Sequence, residues 1–134
     1  MEKVIGFLNE NNIGIVATSS DNKPYTRVQH IHLIKDGVFY FTTANVKRAY
    51  KQFKENPYIE FIAMNDKYVT AKISGEIKFT DDINIKQMVM NNSPSVKQGY
   101  QKADNPIYEV FYLEHGQAVF SDLLSGKEME IFNF

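Results

Sequence analysis

The chain has 134 residues and an ordinary apolar share, enough for a single domain spanning residues 1–134 with its own core. A net charge of −1 without any basic block argues against nucleic acid as the main partner, and no apolar run approaches the length of a membrane span. The absence of cysteine excludes disulfides, thiolate metal sites and a cysteine nucleophile. The first residues, Met1 to Gly6, lack the long apolar stretch of a signal peptide, so a cytoplasmic protein is expected.

In chain order, Val4, Phe7 and Leu8 recur at helical spacing and predict a short helix over roughly the first twelve residues, ended by Asn11-Asn12 and Gly14. Ile13 to Thr18 reads as a strand, Asp21-Asn22-Lys23-Pro24 as a turn and Tyr25 to Ile34 as a second strand. Lys35-Asp36-Gly37 is a tight turn before a third strand, Val38 to Thr42, and these strands read as an antiparallel meander. The helix that follows has Val46, Ala49, Tyr50 and Phe53 on one apolar face and stops at Asn56-Pro57, because a residue before proline disfavours the α region.

Tyr58 to Met64 is predicted as a fourth strand with Ile59, Phe61 and Ala63 on one face. Asn65-Asp66-Lys67 turns into a long fifth strand, Tyr68 to Phe79, in which Gly75 marks a bend or bulge. Asp81-Asp82 caps a helix over about Ile83 to Asn91, and Ser93-Pro94 starts another helical piece reaching Tyr100. Tyr108 to Leu113 and Gln117 to Ser121 read as a hairpin around Gly116, and a last short strand follows Gly126. Many strands with short turns and inserted helices predict a mainly β fold, a closed or nearly closed antiparallel barrel of about six to eight strands.

The most informative stretch is Thr42-Thr43-Ala44-Asn45-Val46-Lys47-Arg48-Ala49-Tyr50, where a strand runs into a helix. Helix starts carry free N–H groups and a partial positive charge, so acids are expected there and Lys47 and Arg48 are out of place. An anion, with phosphate the usual one, would explain them. The competing reading is that Thr43 or Asn45 caps the helix while the cations sit in solvent. Arg27, in the neighbouring strand, adds a residue suited to bidentate phosphate contacts. In that strand Arg27 and Gln29 share one face, and His30 and His32 share the other with Val28, as expected of a strand facing both a core and a ligand or partner subunit. His30 and His32 have the spacing to chelate a metal, but no acidic ligand lies nearby, and histidines with satisfied hydrogen bonds are the better expectation. No metal site is assigned. Asp81-Asp82 and Glu128/Glu130 read as a cap and a solvated face rather than a catalytic pair.

The ordered segments Pro24-Tyr25-Thr26-Arg27-Val28, Phe39-Tyr40-Phe41-Thr42-Thr43, Lys47-Arg48-Ala49-Tyr50, Glu55-Asn56-Pro57 and Lys72-Ile73-Ser74-Gly75-Glu76 resemble the pyridoxamine 5'-phosphate oxidase-like FMN-binding split barrels. The resemblance covers roughly residues 1 to 80 well and the tail more loosely. It implies a split β-barrel and a homodimer with FMN at the subunit interface. Carried over by position, Arg27 and Lys47 would hold the FMN phosphate with Thr42 and Thr43. Arg48 stands where the family often has a second cation. Val28 and Gln29 would meet the isoalloxazine edge, Phe41 belongs to the same strand segment, and Thr70 or Lys72 falls near a glutamine that family oxidases use on the fifth strand.

The resemblance departs from the true pyridoxamine phosphate oxidases at the C-terminus. Their substrate-binding segment, rich in Trp, Arg and His, has no counterpart in Glu114 to Phe134, so a B6-phosphate substrate is not supported. The expectation is an FMN-dependent oxidoreductase of unspecified substrate, in which the flavin carries hydride or electron transfer. His30, His32 and Tyr100 are acid–base candidates only if they face the ring. Two alternatives stand beside this: a non-catalytic protein binding flavin, haem or a deazaflavin, and a cofactor-free structural dimer.

Overall fold

The computed structural model describes all of residues 1–134. Its elements in order are α1 (Glu2–Glu10), β1 (Ile13–Ser20), β2 (Lys23–His30), β3 (Leu33–Lys35), β4 (Val38–Ala44), α2 (Arg48–Glu55), β5 (Tyr58–Met64), β6 (Val69–Glu76) and β7 (Lys78–Thr80). They continue with α3 (Ile83–Asn92), α4 (Pro94–Tyr100), β8 (Tyr108–Leu113), β9 (Gln117–Asp122) and β10 (Glu130–Asn133). The strands form two antiparallel sheets, a six-stranded one ordered β10-β9-β6-β5-β1-β2 and a four-stranded one ordered β3-β4-β8-β7. This is a split barrel, mainly β, with helices inserted between strands.

Ten strands stand where about six to eight were expected, because both long predicted strands break and change sheet. The second breaks at Ile31-His32: the Ile31 N–H turns to Asn12 O and the His32 N–H to Tyr40 O. The fifth breaks at Ile77, whose N–H goes to Pro57 O. Corners of this kind let one strand serve two packed sheets. The expected meander is therefore only half formed: β1 pairs β2 and β3 pairs β4, but β2 and β4 lie in different sheets. Both hairpins turn on two residues with positive φ, Asp21-Asn22 and Asp36-Gly37, as a tight right-twisting connection requires.

The expected β8–β9 hairpin does not form. β8 pairs β4 and β7, whereas β9 pairs β6 and β10, so the chain crosses between sheets at Glu114 to Gly116. Gly75 is not a bend; it is a point of backbone contact with this crossing. A Cβ at Gly75 would lie 2.5 Å from His115 O, and one at Gly116 would lie 1.9 Å from Ser74 O.

The main core fills the space between the sheets with Val16, Phe39, Phe41, Phe61, Ile73 and Phe111, joined by Val4 and Leu8 of α1 and Phe53 of α2. Phe41 and Phe111, directly paired across β4 and β8, stack with ring centroids 5.1 Å apart. A smaller core under α3 and α4 contains Val89, Met90, Val96, Tyr108 and Val110. Asp82 caps α3 as expected, its carboxylate accepting from the Asn84 N–H at 2.9 Å.

Candidate functional site

Helix α2 packs on β1 and β4 and buries Phe53 and Gln52. Its start confirms the electrostatic anomaly in the sequence. Lys47 is the N-cap, Arg48 the first helical residue, no acid occupies the first turn and no side chain caps it. The capping alternative fails for Asn45, whose amide donates to Pro106 O at 2.7 Å, and Thr43 makes no cap either. Val46 precedes the helix and is 75% exposed, so it does not belong to the apolar face assigned to it. Ala49, Tyr50 and Phe53 do pack inward against the main core or its aromatic rim.

Register decides which way the residues of β2 point. Arg27 pairs with buried Val16, so it faces the barrel interior, while Val28 pairs with exposed Ile15 and faces outward. The Arg27 guanidinium lies over the Phe53 ring at 5.1 Å. It donates from Nη2 to Thr18 Oγ1 at 2.9 Å and to Gln52 Oε1, and from Nη1 to Val16 O at 3.4 Å. Arg48 lies over the Tyr25 ring at 4.9 Å, beside it. Tyr25, Thr26, Arg27, Arg48, Ala49 and Gln52 line an open cleft of about 180 Å³.

These are the only two arginines in the chain, and the fold brings them to one cleft. Neither has a carboxylate partner; the ion pairs are Lys3–Glu130, Lys51–Glu55, Lys72–Glu60 and Lys78–Glu114. Burial, and then the charge of Arg48, pull the Arg27 guanidinium below its ordinary pKa. Two crowded, uncompensated guanidiniums at a helix start form a donor set for a phosphate or similar anion, and to that extent the residues fit the tail of a phosphorylated cofactor.

The other sequence candidates distribute around this cleft. Gln29 faces inward and donates to Thr42 O at 2.7 Å, linking β2 to β4 across the two sheets. Thr42 and Thr43 are buried near the end of β4, and the Phe41 side chain is wholly in the core, leaving only its backbone for a ligand. Lys47 is exposed at the α2 N-cap and is not among the cleft-lining residues, whereas Arg48 is. Val28 and Lys72 lie on the opposite, outer face of the six-stranded sheet, where Lys72 pairs with Glu60 at 2.9 Å. Sequence reasoning missed Thr18, Tyr25 and Gln52. A glutamine beside Phe53 on the packed side of α2 was the available signal for the last.

His30 and His32 do not share one strand face, since the sheet corner falls between them. Their rings approach to 4.2 Å, and His32 Nδ1 is 2.8 Å from Ser93 Oγ. Burial, then His30, push His32 down to about 4, which keeps it neutral; burial alone lowers His30. Tyr100 packs 4.8 Å from Tyr108 in the smaller core, and burial raises its hydroxyl pKa. No group of three or more His, Asp or Glu side chains is arranged to hold a metal ion.

The outer face of the six-stranded sheet is apolar toward its β2 edge, across β5, β1 and β2. Ile13, Ile15, Val28, Ile62 and Met64 are exposed there, around a depression of about 450 Å³ that Leu123 also lines.

Fold and cleft together define a split barrel whose two arginines meet at the start of α2 without a carboxylate partner. The profile of the pyridoxamine 5'-phosphate oxidase family matches residues 1–117, and the chain belongs to that family. No curated protein matches the chain significantly. Among solved structures, a NimC/NimA family protein from Clostridium acetobutylicum superposes with a TM-score of 0.89 at 27% identity, over 100% of this chain and 92% of that one. An FAD-binding protein from Mesorhizobium loti gives 0.67 at 14% identity, over 87% of this chain and 90% of that one. A heme binding protein from Mycobacterium smegmatis gives 0.80 at 12% identity, over 98% of this chain and 57% of that one.

Proposed function

We propose that the chain is an FMN-dependent oxidoreductase acting as a homodimer, with the flavin tail held in the α2 cleft. The observation that carries this reading is the pair of arginines, Arg27 and Arg48, with neutral partners only and no carboxylate. In this reading Arg27 and Arg48 bind the tail phosphate, Lys47 adds charge from the N-cap, and Thr42 and Thr43 lie at the adjoining end of β4. The FMN ring, when bound, supplies hydride or electron transfer. The chain supplies charge at the tail, and the β2 edge at Val28 and Gln29 would offer backbone groups to the ring, since the Val28 side chain faces outward and the Gln29 amide is held by Thr42 O.

The dimer is supported by the exposed apolar face of the six-stranded sheet, which a second copy would cover. Lys72 projects from that face, so in a dimer it is placed toward the partner rather than toward its own cleft. An absorption spectrum of the purified full chain, with and without added FMN, tests the proposal. Flavin bands and a rise in melting temperature with FMN are expected; a saturating ligand at 100 times its dissociation constant adds about 2.7 kcal/mol. Colourless protein with no thermal response, or haem bands in place of flavin bands, would overturn it.

A further inference from the structure

We infer that Gln52 is a positioning residue that makes the cleft selective for a phosphorylated tail, by holding Arg27 in place without neutralising it. This rests on the phosphate reading of the cleft and names what sets its specificity.

Gln52 is a polar side chain buried beside Phe53 on the packed side of α2, four residues after Arg48. Its Oε1 accepts from Arg27 Nη2, which also donates to Thr18 Oγ1. With the Phe53 ring beneath and Val16 O at Nη1, the guanidinium is held from several sides by neutral groups alone. A guanidinium has five N–H donors, and these contacts use three, so two are left for an anion. Carboxylate is available on the same helix but is directed elsewhere: Glu55 pairs with Lys51 at 3.9 Å and accepts from Ser20 at 3.4 Å.

The distinction between an amide and a carboxylate at this position is decisive electrostatically. An amide oxygen orients Arg27 and leaves its full charge beside Arg48. A carboxylate of the same shape would form an internal ion pair and cancel the field that an incoming phosphate needs. A glutamine that served packing alone would be replaced by leucine with the ratio of FMN to riboflavin affinity unchanged.

The test is titration of the full chain, by flavin fluorescence, with FMN and with riboflavin, which differ only in the phosphate. Wild type is expected to prefer FMN. Gln52→Glu is expected to lose at least about tenfold of that preference while riboflavin affinity holds and the melting temperature stays level or rises. Gln52→Leu, which removes the acceptor without adding charge, is expected to lose a smaller part of it. It also serves as the test should the glutamate variant fold poorly. If both variants keep the wild-type ratio of FMN to riboflavin affinity, Gln52 has no positioning role and the phosphate reading survives. If wild type itself binds the two flavins equally, the phosphate reading falls and this inference with it.

Discussion

The two sides of strand β2 are built on opposite principles. On the inner side, Arg27 and Gln29 are fixed by hydrogen bonds to Thr18, Gln52 and Thr42, so the polar groups are ordered before any ligand arrives. On the outer side, Val28 is 67% exposed among Ile13, Ile15, Ile62 and Met64, with nothing of this chain over it. The contrast teaches that one polypeptide can satisfy an inward-facing guanidinium by itself but cannot cover an apolar patch that lies on an open sheet face. Hydrogen-bond partners for a guanidinium come from the neighbouring strand and helix. Cover for a flat apolar surface has to come from another surface of similar size.

The largest expected effect removes what both sides rest on. Phe111 stacks on Phe41 and packs 4.6 Å from Phe53, tying β8 to β4 and α2. Phe111→Ala should cost about 3–5 kcal/mol in urea unfolding, and the cleft and the sheet face should be lost in one transition. Separate transitions would break the view that one core supports both.

The second test acts on the inner side alone. Arg27→Ala combined with Arg48→Ala should weaken FMN binding by about a hundredfold or more while riboflavin binding and the apolar face are unchanged. Unchanged FMN affinity in fluorescence titration would remove the distinction drawn for the inner face.

A third test sits at the corner where β2 ends. His32 is held neutral at about 4 against an ordinary 6.5, so the folded state takes up its proton later than the unfolded state as pH falls. Its stabilising contribution is complete above pH 6.5 and is lost progressively between 6.5 and about 4. The loss is on the order of 3 kcal/mol and should be flattened in His32→Asn, measured by melting temperature against pH. A wild-type profile that is flat over this window would show that the corner is open to water.

The smallest expected effect is on the outer side. Val28→Ser should raise the dimer dissociation constant at least about tenfold in analytical ultracentrifugation, with FMN-over-riboflavin preference retained. A monomeric wild type would leave the apolar face without the role assigned to it.

The sequence was most legible where a signal is local. The two-residue turns at Asp21-Asn22 and Asp36-Gly37, the Asp82 cap, the Asn56-Pro57 stop and the alternation of β5 all lie where residue type and spacing place them. It was least legible where the outcome depends on distant backbone. In Tyr25 to Ile34 no turn residue marks the change of sheet, and in Tyr68 to Phe79 only Gly75 hints at one, two residues before the corner at Ile77, because a strand that turns a corner keeps extended, strand-forming residues across it. The β8–β9 hairpin was read from Gly116, but that glycine is small to admit Ser74 O, a contact formed from far along the chain.

For the site, the sequence by itself determined the chemistry available: two arginines and no more, a helix opening on cations, and no cysteine. Alternation within β2 also fixed that Arg27 and Val28 face opposite ways. Only the tertiary structure decided that Arg48 rather than Lys47 lines the cleft with Arg27, that Gln52 and Thr18 hold Arg27 there, and that Lys72 lies on the far face. The physical reason is that spacing along a chain sets direction within one element. Convergence of side chains from β1, β2 and α2 depends on how the two sheets close around a shared core.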